Sequence, residues 1–192
     1  MTALIDLFKV KEYATDKLSR HSYLPVYEEL FSKRRESVLN VLEIGIGSGG
    51  SLELWHDYFI NANIYGIDPN YYIDRLNKFE RITQLKDDAY DEEFIQKNFV
   101  KNNISFDIII DDGPHNKDSQ VNAMKLYFPL LSKNGLIIIE DVQDYLDPGT
   151  WIRDIIKGLP TQHQRYARII DLRHYGKSPD DLLIILDLCE DV

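Results

Sequence analysis

The sequence is poor in cysteine, in long apolar runs and in low-complexity tracts. Its 192 residues include one cysteine, Cys189, which excludes a disulfide framework within the chain and a cysteine-rich zinc site. This usage fits a reducing compartment, and we expect a cytoplasmic protein. No apolar run approaches the roughly 20 residues that span a bilayer. The first ten residues carry no basic stretch ahead of their apolar part, so we expect no signal peptide.

Basic residues are also in the minority. The chain has 32 acidic and 22 basic residues, and its formal net charge is −10. Proteins that bind nucleic acid without sequence preference usually carry the opposite sign, because they neutralise phosphates. The basic run Lys33-Arg34-Arg35 is better explained as the solvated end of a helix. We therefore expect no nucleic-acid partner and no membrane insertion.

Short runs of branched apolar residues alternate with helix-length stretches whose apolar spacing is near 3.6 residues. Such runs are typical of strands buried on both faces of a parallel sheet, and the alternation predicts a doubly wound α/β fold. The predicted strands are Val38–Ile44, Ile64–Ile67, Ile82–Leu85 (the weakest), Phe106–Ile110, Leu136–Ile139, Arg168–Leu172 and Leu182–Leu186. The predicted helices are Ser51–Phe59, Asp91–Val100, Asp118–Leu131 and Pro148–Leu159.

The two ends of the chain differ from this alternation. The last two predicted strands are joined by residues 173–180, which contain Gly176 and Pro179 and are too few for a crossover helix. We therefore predict an antiparallel C-terminal hairpin. Residues 1–36 have a helical pattern and precede the sheet. No linker interrupts the sequence, so residues 1–192 are predicted to form one domain.

A glycine-rich turn follows the first predicted strand, with the sequence Glu43-Ile44-Gly45-Ile46-Gly47-Ser48-Gly49-Gly50. Glycine lets a backbone turn sharply and approach a ligand closely. A tight strand–helix turn without a ligand is the alternative. Asp68, at the end of the second strand, favours a nucleotide-like ligand, because an acidic residue there binds ribose hydroxyls.

Two cofactors compete for this turn. The dinucleotide fingerprint is G-x-G-x-x-G, whereas this chain has G-x-G-x-G-G. The Glu43 carboxylate would repel a pyrophosphate and attract an ammonium group. This favours S-adenosylmethionine (SAM) over NAD, so a nucleotide-binding oxidoreductase is the less favoured interpretation.

The segment Val41–Leu52 resembles the first motif of class I SAM-dependent methyltransferases. The resemblance implies a Rossmann-like sheet of seven mostly parallel strands. It also implies that the cofactor contacts Glu43, Gly45, Gly47, Ser48, Gly49 and Asp68. Asp88 matches the acidic residue that meets the adenine amino group, with Asp87 as its competitor, and Asp111 is a further candidate for cofactor binding.

Acidic residues end two further predicted strands. The fourth ends in Asp111-Asp112-Gly113-Pro114-His115 and the fifth in Glu140-Asp141. Carboxyl ends of parallel strands face one crevice, where these carboxylates would repel one another unless a divalent cation binds. Oxygen ligands favour Mg²⁺ over zinc. The alternative is that the acidic ends are solvated and Asp118 caps a helix.

These residues and the segment Leu131–Asp141 are similar to metal-dependent O-methyltransferases of macrolide and rhamnosyl sugars, of the mycinamicin type. Pro114 departs from their usual D-D-G-S-H pattern. Residues 13–27, with Lys17, His21, Tyr23 and Tyr27, also resemble this family. The resemblance covers about two-thirds of the chain and implies metal ligands at Asp112, Glu140 and Asp141. It also implies a general base at His115, which a neighbouring cation is expected to keep neutral.

The sequence therefore predicts a Mg²⁺-assisted, SAM-dependent methyltransferase that acts on a sugar hydroxyl or a related polyol. The alternatives are a metal-independent methyltransferase acting on another small molecule or a protein, and a SAM-binding protein without turnover. The chain leaves little room for a lid, so the pocket is expected either to be open or to be closed by a second subunit of a homo-oligomer. Gln143 to Trp151, with Tyr145, is a candidate wall of the acceptor pocket, and Trp151 in the core is the alternative.

Overall fold

A seven-stranded sheet forms the centre of the computed structural model, which describes residues 3–144 and 149–189. The strands are β1 (Asn40–Ile44), β2 (Asn63–Ile67), β3 (Ile82–Leu85), β4 (Phe106–Asp111), β5 (Leu131–Ile139), β6 (Ala167–Asp171) and β7 (Leu182–Asp187). The α-helices are α1 (Leu4–Val10), α2 (Leu24–Phe31), α3 (Gly50–Tyr58), α4 (Glu92–Ile95), α5 (Lys117–Tyr127) and α6 (Thr150–Lys157).

The strand order is β3-β2-β1-β4-β5-β7-β6. The first five strands pair in parallel, whereas β7 runs antiparallel to both of its neighbours, β5 and β6. The predicted doubly wound sheet and its antiparallel C-terminal hairpin are confirmed. The weakest strand prediction, Ile82–Leu85, matches β3 residue for residue.

Buried residues alternate between the two faces of the sheet because successive side chains of a strand point in opposite directions. In β4, Ile108 and Ile110 pack into a core with residues of α1, α2 and α3, while Ile109 joins a second core with residues of α4, α5 and α6. This double burial is the physical reason for the near-continuous apolar runs that marked the strands.

Some helix boundaries differ from the prediction. Helix α4 continues as a π-helical turn over Gln96–Val100, and α5 continues as a 3-10 turn over Phe128–Leu130. The cap of α5 is Asn116, whose side chain accepts a hydrogen bond from the Ser119 amide, so Asp118 is not the cap. The predicted helix start at Pro148 lies outside the described residues.

Within the N-terminal segment, residues 4–10 and 24–31 are α-helical, and the prediction of a helical pattern over residues 1–36 is wrong for residues 11–23 and 32–36. Residues 11–23, called the strap below, connect α1 to α2 without an α-helix. Their polar side chains bind distant elements: for example, the Tyr13 hydroxyl donates to Asp57 Oδ2 at 2.8 Å. A helix would direct these groups around its own axis, whereas the strap directs Tyr13 to α3 and Lys17 to the residues that follow β4 and β5.

The order of the strands reverses next to β1, because the chain places β2 on one side of it and β4 on the other. Connections that leave β1 and β4 therefore diverge, and a crevice opens at their carboxyl ends. In the described parts of the chain, no helix has both the length and the hydropathy that a bilayer crossing requires.

Candidate functional site

A cavity of about 1430 Å³ opens at this reversal point. The glycine turn, residues that follow β2, β3, β4 and β5, and residues of the strap line it. Charged and polar residues on its lining include Asp16, Ser48, Asp68, Asp88, Asp112, His115 and Asp141.

The glycine turn has the conformation that its sequence predicts. Gly45 has φ +84°, and a Cβ there would lie 2.0 Å from the carbonyl oxygen of Asp112, so the turn packs directly on the end of β4. Gly47 has φ +42°, and a Cβ there would meet nothing within 4 Å. Since Gly47 lines the cavity, this open space can receive a ligand placed against the turn.

The strap crosses the start of α3 in close contact. A Cβ on Gly50 would lie 2.2 Å from both the carbonyl carbon and the oxygen of Ala14. The last glycine of the turn therefore leaves room for the strap and not for a ligand.

Asp68 closes the turn from the second strand. Its Oδ2 accepts a hydrogen bond from the Ile46 amide at 3.1 Å, and its Oδ1 accepts from the amides of Asn70 and Tyr71 at 2.8 and 3.0 Å. A carboxylate has about four lone-pair sites, so Asp68 keeps capacity for a ligand hydroxyl. Of the two candidates that follow β3, Asp88 lines the cavity, whereas Asp87 lines a separate depression.

Three further predicted cofactor contacts, Glu43, Gly49 and Asp111, do not line the cavity. A Cβ on Gly49 would lie 2.8 Å from a side-chain carbon of Leu76. Glu43 is fully buried, and its Oε2 accepts from Trp55 Nε1 at 3.0 Å. Glu43 was expected to attract an ammonium group of the cofactor. The ammonium that it meets in the structure is that of Lys17, whose Nζ lies 3.3 Å from Oε1. Asp111 is also buried and accepts from the Tyr90 hydroxyl at 2.8 Å. Burial raises the pKa of Asp111 to about 7.

The ammonium of Lys17 lies among three carboxylates behind the strand ends. Lys17 Nζ is 2.8 Å from Asp112 Oδ2, and 2.7 and 2.8 Å from the two carboxylate oxygens of Glu140. Burial disfavours the charged form of Lys17, but the carboxylates of Asp112, Glu140 and Glu43 more than offset this and raise its pKa. The carboxylates therefore favour the ammonium form of Lys17, while burial raises the pKa values of Glu43 and Glu140.

Tyrosine hydroxyls from α2 and the strap hold the acidic pair at the end of β5. The Tyr27 hydroxyl donates to Glu140 Oε1, and the Tyr23 hydroxyl donates to Asp141 Oδ1. Asp141 has φ +52°, an uncommon conformation that directs it away from Glu140 and into the cavity lining. The two residues of the pair thus have different environments.

His115 lies between Asp112 and Asp141. Its Nε2 is 3.1 Å from Asp112 Oδ1 and its Nδ1 is 3.6 Å from Asp141 Oδ2. Burial lowers the pKa of His115, but the two carboxylates outweigh it and raise the pKa to about 9. The neutral imidazole expected beside a bound cation stays a prediction, because the neighbouring carboxylates by themselves favour the protonated form.

Among the described residues, three sets of three side chains bring possible ligand atoms within 4.8 Å of one another, and one of these sets is His21, Asp141 and Asp180. The inner set is Glu43, Asp112 and Glu140, and it surrounds the Lys17 ammonium. The outer set is Asp112, His115 and Asp141, and all three residues line the cavity. The outer set, with carboxylate oxygens from two residues, fits a divalent cation that a substrate can reach.

Comparisons with known proteins agree with this geometry. No family model matches the chain. It is 34% identical, over 71% of its length, to 8-demethyl-8-(2-methoxy-alpha-L-rhamnosyl)-tetracenomycin-C 3'-O-methyltransferase of Streptomyces olivaceus. It is 33% identical, over 67% of its length, to mycinamicin VI 2''-O-methyltransferase of Micromonospora griseorubida. The chain is a homologue of these sugar O-methyltransferases. It spans 36% and 33% of their lengths, about a third of each.

A solved structure supports the same relationship. The MycE methyltransferase of mycinamycin biosynthesis, in complex with Mg and SAH (the demethylated product of SAM), superposes with a TM-score of 0.75. The match has 25% sequence identity and covers 96% of this chain and 54% of that one. The predicted Rossmann-like methyltransferase fold is confirmed.

No role was predicted for Lys17, Tyr23 or Tyr27, although the resemblance included all three. Nothing in the local pattern indicates that Lys17 is buried, since its neighbour Asp16 is exposed and its neighbour Leu18 is half-buried. Of the candidate acceptor wall, Gln143 lines the cavity, whereas Trp151 is in the core and donates to Gln120 at 2.9 Å. Tyr145 lies outside the described residues.

Proposed function

We propose that this chain transfers a methyl group from SAM to a sugar hydroxyl with the assistance of Mg²⁺. The observation that carries the proposal is that one cavity joins the glycine turn and Asp68 to the outer set of Asp112, His115 and Asp141. A methyl donor bound at the turn and a hydroxyl bound at the outer set would lie side by side. Methyl transfer needs this alignment.

On the donor side, Gly45, Gly47 and Ser48 offer backbone against which SAM packs. Asp68 accepts hydrogen bonds from the ribose hydroxyls, and Asp88 accepts from the adenine amino group. Glu43 does not contact SAM in this proposal. Its buried carboxylate binds Trp55 and Lys17 and so stabilises the glycine turn that follows it. When bound, SAM supplies a methyl group on a positively charged sulfur, and the acidic cavity favours that charge.

On the acceptor side, Asp112 and Asp141 hold the cation, and Glu140 supports them from the buried side. When bound, Mg²⁺ supplies Lewis acidity that lowers the pKa of a sugar hydroxyl. His115 accepts the hydroxyl proton at Nδ1, because its Nε2 is hydrogen-bonded to Asp112 and the 3.6 Å between Nδ1 and Asp141 is too long for a hydrogen bond. This role requires neutral His115, so added positive charge near the imidazole must lower its pKa.

The test is methyl transfer by the purified chain with SAM, Mg²⁺ and a panel of glycosides that have free hydroxyls, rhamnosides included. SAH released and methylated product are quantified together by mass spectrometry. Acceptor-dependent release of both supports the proposal. Tight SAH binding without transfer to any glycoside would instead favour a SAM-binding protein without turnover.

A metal-independent methyltransferase is the second candidate, and Lys17 is the observation that favours it. Its ammonium already neutralises part of the carboxylate cluster, which reduces the need for a metal ion. Transfer measured in excess EDTA separates the two candidates. Full activity under chelation supports the metal-independent enzyme, and activity restored only by Mg²⁺ supports the first proposal.

A further inference from the structure

Gln120, on α5, is a completely buried polar side chain that lies beside the end of β5. Its Nε2 donates to the carbonyl oxygen of Glu140 at 2.8 Å and lies 3.5 Å from that of Asp141. Its Oε1 accepts from Trp151 Nε1 at 2.9 Å. Both ends of the amide are therefore bonded within the chain, and a buried amide is stable only when it is bonded in this way.

Trp151, on α6, determines which end of the amide faces β5. An indole nitrogen donates a hydrogen bond and cannot accept one. The oxygen of Gln120 therefore has to face Trp151, and its NH₂ group has to face the carbonyl oxygen of Glu140. The direction of the amide thus follows from its partners.

The backbone that Gln120 contacts has an uncommon conformation. Asp141 has φ +52°, in the left-handed region that residues other than glycine rarely adopt. Such a conformation is strained and persists only where the surrounding structure imposes it. Here Gln120 holds the carbonyl group of the peptide that enters Asp141, and the Tyr23 hydroxyl donates to the Asp141 carboxylate. These contacts fix a turn that brings Asp141 into the cavity lining.

The first turn of α5, which carries Gln120, is itself well fixed. The Asn116 side chain accepts from the Ser119 amide at 3.0 Å, and the Ser119 hydroxyl donates to the Asn116 carbonyl at 2.8 Å. The Gln120 amide also donates to the Asn116 carbonyl, at 3.1 Å. The side chain of Gln120 therefore extends from a capped helix, which gives the end of β5 a rigid anchor.

Each of the three sets of possible metal ligands among the described residues contains Glu140 or Asp141, and this includes the set with His21 and Asp180. A divalent ion bound at any of them would take an oxygen from the turn that Gln120 contacts. The role of Gln120 therefore does not depend on which of the neighbouring carboxylates share the ion.

We propose that Gln120 is a positioning residue: its amide, oriented by Trp151, holds the turn at Glu140 and Asp141 in the geometry that binds the divalent ion. The presence of the ion rests on the proposed function, whereas the restraint on the turn rests on the contacts of Gln120 alone. In this proposal Gln120 contacts neither the ion nor the substrate.

The test measures Mn²⁺ affinity by electron paramagnetic resonance, with Mn²⁺ as the probe for the Mg²⁺ site, and SAH affinity by calorimetry. Gln120→Met keeps the length of the side chain and removes its hydrogen bonds. It should lower Mn²⁺ affinity by about 10–100-fold, as the loss of a group that orients a metal ligand does. SAH affinity should stay within about twofold, because Gln120 contacts no residue of the glycine turn.

Gln164→Met is the matched control. Gln164 Nε2 donates to the carbonyl oxygen of Leu159 at 3.0 Å, so the variant also removes a bond between a glutamine and a carbonyl group, but away from the cavity. Its Mn²⁺ affinity should stay within about twofold of the wild type. Trp151→Phe removes only the donor that orients the amide, and it should lower Mn²⁺ affinity by more than about twofold. Circular dichroism and thermal unfolding check that each variant is folded.

Two results would overturn the proposal. One is a Mn²⁺ affinity in Gln120→Met within about twofold of the wild type. The other is a loss in Gln164→Met as large as that in Gln120→Met, because reduced stability alone would then account for weaker binding. If Gln120→Met does not fold, the affinity of Trp151→Phe decides.

Failure of the proposed function gives a different result. A wild type that binds no Mn²⁺ contradicts Mg²⁺ assistance, and hydrogen exchange of the Val142 amide then tests the restraint alone. This amide follows the turn and donates to the Leu182 carbonyl at 3.1 Å. Exchange about tenfold faster in Gln120→Met than in the wild type supports the restraint, since this corresponds to the loss of one hydrogen bond. Equal exchange in both proteins overturns it.

Discussion

Replacement of Gly50 by alanine tests whether the strap is packed onto the start of α3. Gly50 is the first residue of α3 and does not have a positive φ, so its backbone conformation is open to alanine. Intrinsic helix propensity alone predicts that Gly50→Ala stabilises the protein by roughly 0.5–1 kcal/mol. The structure predicts the opposite sign.

The magnitude follows from the contact with Ala14. The new Cβ would lie 2.2 Å from two backbone atoms of Ala14, which must retreat by more than 1 Å to reach the ordinary contact distance of 3.4 Å. Overpacking of this kind costs about 1–3 kcal/mol, which corresponds to a fall in melting temperature of roughly 2–12 °C for a chain of this size. The same shift would lengthen the contacts of Lys17, three residues further along the strap.

Thermal unfolding and SAH binding by calorimetry measure the two consequences. Gly176→Ala is the matched control: it has φ +70°, and a Cβ there meets nothing within 4 Å, so it introduces backbone strain without a collision. Gly50→Ala should lower both stability and SAH affinity, whereas Gly176→Ala should lower stability alone. A Gly50→Ala protein that is as stable as the wild type and binds SAH equally well would refute the placement of the strap.

Three further predictions concern individual side chains. Asp88→Asn should weaken SAH binding and Asp87→Asn should not, as judged by calorimetry, because only Asp88 lines the cavity. His115→Gln should lower the single-turnover rate by about 10²–10⁴-fold without loss of SAH affinity, since an amide accepts no proton; a near-wild-type rate across pH 5–9 would exclude His115 as the base. The pKa of His21 is raised from 6.5 to about 9, because hydrogen bonds and charge from Asp16, Asp141 and Asp181 outweigh the opposing effect of burial. Its stabilising contribution is complete below about pH 6.5 and is lost as the pH rises through 9, so urea unfolding midpoints should fall less over this range in His21→Gln.

The sheet was predictable because its signal is local and repeated. Each strand is buried on both faces, so it appears in the sequence as an apolar run. The turn residues Gly45 and Gly47 mark the place where β1 ends. The C-terminal hairpin was predictable because residues 173–180, which join its two predicted strands, are too few for a crossover helix. Residues 11–23 were the exception, because their conformation is determined by partners elsewhere in the chain.

The candidate site also contains residues whose positions were predictable from the sequence and residues whose positions were not. Asp68, Asp88, Asp112 and Asp141 were predictable as cavity residues, because each follows the end of a strand and the fold brings those ends together. The burial of Glu43 was not predictable from its position two residues before Gly45. It depends on Lys17, a residue of the strap and 26 positions earlier in the chain.

Lys17 shows why the chemistry of such a cluster cannot be read from the carboxylates alone. The acidic strand ends imply a need for positive charge, and a divalent ion is one source of it. The strap supplies another source, and the two sources act on different oxygens of Asp112. A sequence pattern specifies the acidic groups but not how many cations they share. In the structure, the inner set surrounds the Lys17 ammonium and is neutralised in part, whereas the outer set, which contains His115, faces the cavity. Under the proposed function, carboxylates that face the cavity hold the metal ion, so substitutions at Asp141 should weaken metal binding more than substitutions at Glu43.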